Sequence, residues 1–221
     1  MDERRVERER MVSTHIAGRG VVDPRVLRAM TEVPRERFVE REHLRAAYDD
    51  GPLPIPMQQT ISQPYVVAWM CEALELRGDE KVLEIGTGSG YAAAVLGRLA
   101  REVHTIERHR PLAELAAARL RALGADHVHV HVGDGTLGLP SHAPFDAIVV
   151  TAGGPDVPRS LAAQLVVGGR LVIPVGPERD VQSLVRVRRV SATEITREAL
   201  GDVRFVPLVG AEGWSDTPEG S

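Results

Sequence analysis

Between residues 80 and 176, short apolar segments alternate with amphipathic ones. Near-continuous apolar runs such as VLEI (82–85) and AIVV (147–150) indicate strands that are buried on both faces. The pattern predicts strands over 80–86, 102–107, 127–132, 145–151 and 169–176, and helices over 89–100, 110–124 and 158–167. Strands and helices that alternate at this spacing form a parallel sheet covered on both faces, so we expect an α/β fold.

The pattern changes on both sides of this region. Residues 3–46 have the spacing of short helices, one of which starts at Asp23 and Pro24, a good cap and a good first helical residue. The proline-rich segment 48–63 predicts an ordered loop, and 64–77 a helix. Three apolar segments (181–190, 192–200 and 202–210) then follow one another without helices and predict an antiparallel edge of the sheet. We divide the chain into a helical extension with a loop (1–63), a core (64–210) and a polar tail expected to fray (211–221).

Composition narrows the class of protein. The chain has 221 residues and a net charge of -4, which argues against a nucleic-acid or anionic membrane surface. Its single cysteine, Cys71, cannot form an internal disulfide, as is usual in a reducing compartment. The charged start MDERRVERER lacks the apolar core of a signal peptide, and no apolar stretch approaches ~20 residues. We therefore expect a cytoplasmic monomer.

A glycine-rich turn, GTGSG (86–90), joins the strand VLEI to an alanine-rich helix. Its glycines let the backbone approach a ligand where side chains would clash. The dinucleotide fingerprint G-x-G-x-x-G requires a third glycine at position 91, which is Tyr91 here. The turn therefore favours a nucleotide other than NAD, such as a sulfonium methyl donor, although a plain tight turn has the same pattern.

Two acidic residues end the next two strands, where open α/β sheets bind ligands. Glu107 could accept hydrogen bonds from both hydroxyls of a ribose, or pair with Arg108 or Arg110. Asp134, in GDG, could accept one from an adenine amine, or simply form an Asp-Gly turn. Because the glycine-rich turn and both acidic residues lie at the carboxyl ends of strands, the sequence favours an adenosine site.

Three histidines share one face of the strand HVHVHV: His127, His129 and His131. A metal site is one interpretation. We favour a partly exposed strand face and expect no metal.

The segments VLEIGTGSGYAAAVLG, HTIER, GDG, APFDAIVVTA, LVIPVG and VRFVPL, in this order, resemble the motifs of protein-L-isoaspartate O-methyltransferases. The loop LPI…QTISQP is the most distinctive of them, and the resemblance covers about residues 20–210. It implies a Rossmann-like class I methyltransferase fold that uses S-adenosylmethionine (AdoMet) and releases S-adenosylhomocysteine. The implied reaction methylates the carboxylate of L-isoaspartyl residues in damaged proteins and starts their repair to aspartate through a methyl ester and a succinimide.

The same resemblance implies the site residues. Ser62 would be the catalytic residue that orients the acceptor carboxylate. The implied cofactor-binding residues are Gln59, Thr60, Ile61, Ser62, Glu84, Gly86, Thr87, Gly88, Ser89, Gly90, Glu107, Asp134 and Gly135. The implied substrate-binding residues are Leu53, Pro54, Ile55, Ser62, Val206, Pro207 and Leu208.

Chemistry and one departure leave alternatives open. An acceptor carboxylate with a pKa near ~4 is already ionised at pH 7, so no general base is required. Ser62, just before the helix that starts near Pro64, could also be an ordinary helix cap. Pro56, Met57 and Gln58 stand where the family has a glycine-containing link, which could alter peptide access. A methyltransferase for one dedicated peptide, an NAD-dependent oxidoreductase and a non-enzymatic AdoMet sensor are the competing hypotheses.

Overall fold

The computed structural model describes residues 4–178 and 181–215, and these form a large and a small β-sheet with helices around them. The small sheet is a hairpin of β1 (Leu53–Ile55) and β2 (Gln59–Ile61). The strands of the large sheet are β3 (Lys81–Ile85), β4 (Glu102–Glu107), β5 (Val128–Val132), β6 (Phe145–Val150), β7 (Leu165–Val175), β8 (Gln182–Arg189) and β9 (Ile195–Val203).

The α-helices are α1 (Arg5–Arg10), α2 (Pro24–Glu32), α3 (Pro64–Ala73), α4 (Tyr91–Leu96), α5 (Arg110–Ala122) and α6 (Arg159–Ala163). A π-helix (Met11–Ile16) continues α1, and 3-10 turns at Ala17–Arg19, Arg35–Arg37 and Arg41–Ala46 complete the helical extension predicted for residues 3–46. The predicted start of α2 is confirmed, because the Asp23 carboxylate accepts a hydrogen bond of 2.8 Å from the Arg25 amide.

The large sheet has the order β5-β4-β3-β6-β7-β8-β9. Its first five strands run parallel to one another, whereas β8 and β9 are antiparallel. The predicted mostly parallel α/β sheet with an antiparallel carboxyl-terminal edge is confirmed. Because β3 lies between β4 and β6, the carboxyl ends of these strands meet at one edge.

Side chains alternate between the two faces of the sheet and enter two apolar clusters. On β3, Leu83 and Ile85 pack with Ile148 in the smaller cluster, while Val82 enters the larger one with the amino-terminal helices. Phe38 and Tyr91 extend the larger cluster and meet edge to face, with ring centroids 5.7 Å apart. The helical extension is thus packed on the sheet next to the glycine-rich turn.

Three predicted elements are wrong in part. The helix predicted over 158–167 ends at Ala163, because Leu165 pairs with Phe145 and begins β7. The segment LAAQLVV fits a short helix or a buried strand equally well, and pairing with β6 decides between them. The two strands predicted over 192–200 and 202–210 are one strand, β9, followed by an irregular segment that makes isolated bridges at Pro207 and Val209.

Boundaries also differ around the glycine-rich turn. The predicted helix 64–77 ends at Ala73, and the predicted helix 89–100 is the six-residue α4. The predicted loop 48–63 contains the hairpin, whose three-residue strands are too short to produce a clear alternation.

The predicted tail 211–221 is only partly described, since residues 216–221 lie outside the described residues. Its first part is not frayed, because the Ala211 amide donates to the Asp134 carboxylate at 2.8 Å. In the described ranges, no helix combines the length and apolarity that crossing a membrane requires.

Candidate functional site

A cavity of about 780 Å³, part of it open to solvent, lies at the carboxyl edge of the parallel strands. It is lined by Gln59, Thr60, Ile61, Ser62, Val67, Ile85, Gly86, Thr87, Gly88, Ser89, Tyr91, Ala92, Ile106, Glu107, Arg108, His109, Gly135, Thr151, Ala152, Val206, Pro207, Leu208 and Val209.

The glycine-rich turn forms the floor of this cavity. The Gly86 amide donates to the Ile106 carbonyl at 2.9 Å, which ties the turn to the end of β4. Gly86 has φ +96°, and a Cβ at this position would lie 2.5 Å from the Thr151 hydroxyl oxygen. That hydroxyl donates to the Gly86 carbonyl at 2.7 Å. Glycine is therefore required here both by backbone conformation and by space.

Glu107 lies beside the turn and is 5% exposed. One carboxylate oxygen accepts from the Gly88 amide and the other from the His109 amide, each at 2.9 Å. These bonds hold the carboxylate at the cavity wall. A carboxylate has about four acceptor positions, so capacity remains for two hydroxyl groups of a ligand.

Beneath the turn, Glu84 is fully buried and does not line the cavity. Its Oε2 accepts from the Thr105 hydroxyl at 2.5 Å, and that hydroxyl contacts the Thr87 hydroxyl at 2.6 Å. Among the described residues, its other oxygen has no hydrogen-bond partner. Burial raises the pKa of Glu84 to about 8, and the charge of Glu107 adds to this effect. The hydrogen bond from Thr105 acts in the opposite direction but is outweighed. The structure thus places this predicted cofactor residue as a neutral support of the turn at pH 7.

Asp134 is also outside the cavity lining. Its Oδ1 accepts from the amide and the hydroxyl of Thr136 at 2.9 and 2.7 Å, while Oδ2 accepts from Ala211. Burial alone would raise the pKa of Asp134, but these hydrogen bonds lower it. The neighbouring Gly135 does line the cavity, and a Cβ there would overlap Ile85. Asp134 therefore positions the backbone that Gly135 presents.

The hairpin of β1 and β2 covers one side of the cavity through Gln59, Thr60 and Ile61. Its tip has two non-glycine residues in the left-handed region, Met57 with φ 62° and Gln58 with φ 58°. Hairpin turns with two such residues favour Asn and Gly. The segment that departs from the family pattern in the sequence thus forms the tip, which keeps the hairpin conformation but is strained.

Ser62 follows the hairpin directly and lines the cavity. The cap position of α3 is Gln63, which makes no side-chain cap bond, so the helix-cap alternative for Ser62 is wrong. Among the described residues, the Ser62 hydroxyl has no hydrogen-bond partner, which leaves it available to a ligand.

The segment after β9 closes the opposite side. The Gly153 amide donates to the Val206 carbonyl, and the Leu208 amide donates to the Gly153 carbonyl, each at 2.8 Å. These bonds hold Val206, Pro207 and Leu208 against the end of β6, where all three line the cavity.

The predicted site residues are therefore brought together only in part. Four of them, Leu53, Pro54, Ile55 and Gly90, lie outside the lining, in addition to the two carboxylates described above. Gly90 instead starts α4 with φ +90°, packed against Ala116.

The sequence reasoning missed part of the lining. Thr151 and Ala152 follow β6, the strand adjacent to β3, and their position at a strand end was the signal that could have found them. Tyr91 and His109 line the cavity next to recognised motifs.

The histidine face lies away from this cavity. His129 and His131 both meet His104 of β4, where a ring nitrogen of His104 contacts one of His131 at 3.0 Å. His142 meets His104 and His131. His127 instead contacts the Gly97 carbonyl at 2.7 Å. Over the described ranges, no three His, Cys, Asp or Glu side chains are grouped so that they could hold a metal ion.

Comparisons with known proteins agree on one family. The family model described as protein-L-isoaspartate(D-aspartate) O-methyltransferase matches residues 6–213. Protein-L-isoaspartate O-methyltransferase 2 of Pelobacter propionicus is 60% identical over 207 residues, which cover 94% of this chain and 92% of the relative. The protein-L-isoaspartate O-methyltransferase of Rhodopseudomonas palustris is 60% identical over 204 residues, covering 92% of this chain and 94% of the relative.

Solved structures show the same likeness. A protein-L-isoaspartate O-methyltransferase superimposes with a TM-score of 0.84 at 31% identity, over 93% of this chain and 67% of that one. A putative Plasmodium falciparum enzyme of the same name, in complex with S-adenosyl-L-homocysteine, has a TM-score of 0.79 at 23% identity, over 91% of this chain and 98% of that one. The second likeness concerns the fold alone.

Proposed function

Because this chain belongs to the protein-L-isoaspartate O-methyltransferase family, we propose that it transfers a methyl group from AdoMet to the carboxylate of L-isoaspartyl residues in damaged proteins and peptides. The methyl ester starts the return to aspartate through a succinimide. The observation that carries this proposal is the convergence of three motifs on one cavity: the glycine-rich turn, the hairpin with Ser62, and the segment Val206–Leu208.

The residues at the sheet edge fit the proposed cofactor. Neither Gly86 of the turn nor Gly135 after β5 has space for a Cβ, so backbone rather than side chains would face the ligand at both positions. Glu107 retains acceptor positions for the two ribose hydroxyls. When bound there, AdoMet supplies an activated methyl group on a sulfonium. In this proposal Glu84 and Asp134 act indirectly, by supporting the turn and the backbone at Gly135.

The acceptor requires orientation more than activation. A side-chain carboxylate with a pKa near ~4 is ionised at pH 7, so no base has to remove a proton. Ser62 donates a hydrogen bond from its hydroxyl to one carboxylate oxygen and leaves the other oxygen to attack. The hairpin and Val206–Leu208 exclude water from the acceptor. Positioning and desolvation of the carboxylate then account for the role of the protein.

This proposal gives different roles to two parts of the chain. Residues 64–210 contain the cofactor-binding core, while residues 1–63 contribute the hairpin and the helices that support it. Isoaspartyl peptides are the proposed partners. A monomeric state, a cytoplasmic location, and the absence of metal and nucleic acid remain predictions.

A second candidate is a carboxyl methyltransferase for one dedicated peptide. The strained, non-glycine tip at Met57 and Gln58 favours it, because a changed hairpin would change peptide access. Labelled AdoMet with matched peptides that carry isoaspartate or aspartate separates the two. Alkali-labile label on the isoaspartyl peptide alone supports repair. AdoMet binding without transfer to either peptide would contradict the repair function and favour a dedicated substrate or a sensor.

Two variants test the assigned roles in the same assay. Ser62→Ala should lower turnover on the isoaspartyl peptide strongly and leave AdoMet affinity within a few-fold, because the hydroxyl orients only the acceptor. Glu107→Ala should weaken AdoMet binding in calorimetry, because it removes the ribose acceptor and the bond to the Gly88 amide. Unchanged turnover of the first variant, or unchanged affinity of the second, would overturn the corresponding role.

A further inference from the structure

A second groove opens beside the cofactor cavity and shares Thr60 and Ser62 with it. The remaining lining residues are Arg19, Pro52, Gln63, Tyr65, Val66, Trp69, Val181, Asp202, Val203, Arg204 and Phe205. Of the whole lining of this groove, only Ser62 belongs to the substrate-binding set that the sequence implied. Because the groove reaches Ser62 and thus the proposed methyl acceptor, the groove is placed to hold another part of the same substrate peptide.

The wall that α3 contributes to this groove is aromatic. Tyr65 and Trp69 are one helical turn apart and stack, with ring centroids 5.8 Å apart and an angle of 26° between the rings. The Arg19 guanidinium lies 3.7 Å from the Tyr65 ring centroid and pairs with Asp50 at 2.9 Å. The tyrosine is thus held between a cation and a second ring, which fixes the orientation of the pair.

Strand β9 packs closely against the tryptophan. Gly201 of β9 has φ +154°, and a Cβ there would lie 2.9 Å from the Trp69 ring. The register between β8 and β9 shifts near this residue. Phe205 follows this strand, and its amide donates to the buried Gln182 side chain at 2.9 Å. The strand therefore leaves space for the Trp69 ring, and Phe205 adds a third aromatic side chain to the groove lining.

We propose that this groove binds a large apolar side chain of the isoaspartyl peptide, two or three residues from the methyl acceptor, and that Trp69 determines the preference for it. The inference rests on the proposed function. From the start of α3, Trp69 is five residues along the helix, about 8 Å at 1.5 Å per residue. An extended peptide covers that length and the approach from Ser62 in two to three residues of about 3.4 Å each. A flat, half-buried aromatic wall favours an aromatic or aliphatic side chain over glycine or a charged group.

Competition between isoaspartyl peptides tests the proposal. The peptides are identical except for Phe or Gly at the second or third position before or after the isoaspartyl residue, and each Phe–Gly pair competes in one reaction with labelled AdoMet. The ratio of products gives the ratio of kcat/KM values, which does not depend on how much of the enzyme is folded or loaded with cofactor. We expect the Phe peptide to be preferred about 5- to 10-fold at one of these positions, as an aromatic contact of about 1 kcal/mol implies.

Variants assign the preference to the groove. Trp69→Ala should bring the ratio close to 1, and Trp69→Phe should retain a ratio above that of Trp69→Ala. Val167→Ala, a change at an exposed valine outside the groove, should keep the ratio of the unchanged protein. A ratio near 1 in the unchanged protein at every position, or an undiminished ratio in Trp69→Ala, would overturn the proposal while methylation itself still supports the repair function. No methylation of any isoaspartyl peptide would overturn both.

Discussion

Replacing the buried carboxyl of Glu84 by an amide should change how the stability of the protein depends on pH. Glu84 is fully buried beneath the glycine-rich turn, with one oxygen bonded to Thr105 and the other without a partner. Burial raises the pKa of this group from its ordinary value of 4.5 to about 8. The folded protein therefore retains a proton on Glu84 over a range of pH in which the unfolded chain releases it.

The sign follows from this difference in bound protons. A raised pKa of a carboxyl group in the folded state makes the free energy of unfolding fall as pH rises from about 4.5 to about 8. The slope is about 1.4 kcal/mol per pH unit for one group. The loss attributable to Glu84 thus reaches about 3 kcal/mol at pH 7 and about 5 kcal/mol above pH 8. Glu84→Gln has no proton to release, and its amide oxygen still accepts a hydrogen bond from the Thr105 hydroxyl, so it should avoid this loss.

Urea denaturation at a series of pH values from 5 to 9 measures the effect. The difference in unfolding free energy between Glu84→Gln and the unchanged protein should be near zero at pH 5 and increase with pH in favour of the variant. Subtracting the two curves cancels the other titrating groups. Glu114→Gln, at an exposed position on α5, is the control and should give a curve parallel to that of the unchanged protein. Parallel curves for Glu84→Gln as well would refute the reasoning.

Three further predictions concern the turn, the hairpin and the histidine cluster. Gly86→Ala should weaken AdoMet binding at least 10-fold in calorimetry and destabilise the protein by about 1–3 kcal/mol, because the added methyl overlaps a threonine hydroxyl. Gly124 shares the positive φ but has open space around it, so the control variant Gly124→Ala should show no loss of AdoMet affinity. Met57→Asn combined with Gln58→Gly should raise the unfolding free energy by about 1 kcal/mol, since these residues tolerate the left-handed region; a lower urea midpoint would contradict the strain at the tip. Burial and the neighbouring imidazoles lower the pKa of His131 to about 4, so its contribution to stability is complete above pH 6.5 and is lost as pH falls towards 4. His131→Gln should reduce the drop in melting temperature between pH 6.5 and 5, and an equal drop would argue against this contribution.

Some features follow from the local sequence alone. The apolar runs on β3 and β6 have the composition of strands buried on both faces, and the structure confirms a parallel sheet there. The glycines of the turn were recognisable because a ligand-binding turn between a strand and a helix requires them. Tyr91 correctly argued against a dinucleotide, and the order of motifs identified the family that the comparisons confirm.

Other features depend on partners distant in the chain. Leu165 is a strand residue because Phe145 pairs with it, although its own segment fits a helix equally well. The strand and bulge near Gly201 likewise exist because β8 and the Trp69 ring lie alongside. Pairing across a sheet is set by atoms many residues away, so a local pattern cannot decide it.

The sequence by itself identified the family and the candidate residues of its site, among them the glycine-rich turn, Glu107 and Ser62. Only the tertiary structure decided which carboxylates line the cavity. Glu84 and Asp134 have the right residue type at the right strand ends, but a side chain at a strand end can face the cavity or the interior. Glu84 is buried and accepts a hydrogen bond from Thr105, and both oxygens of Asp134 accept hydrogen bonds from backbone amides. Of these three carboxylates, Glu107 alone lines the cavity. The direction of a side chain is set by the packing around it, and that packing exists only in the folded chain.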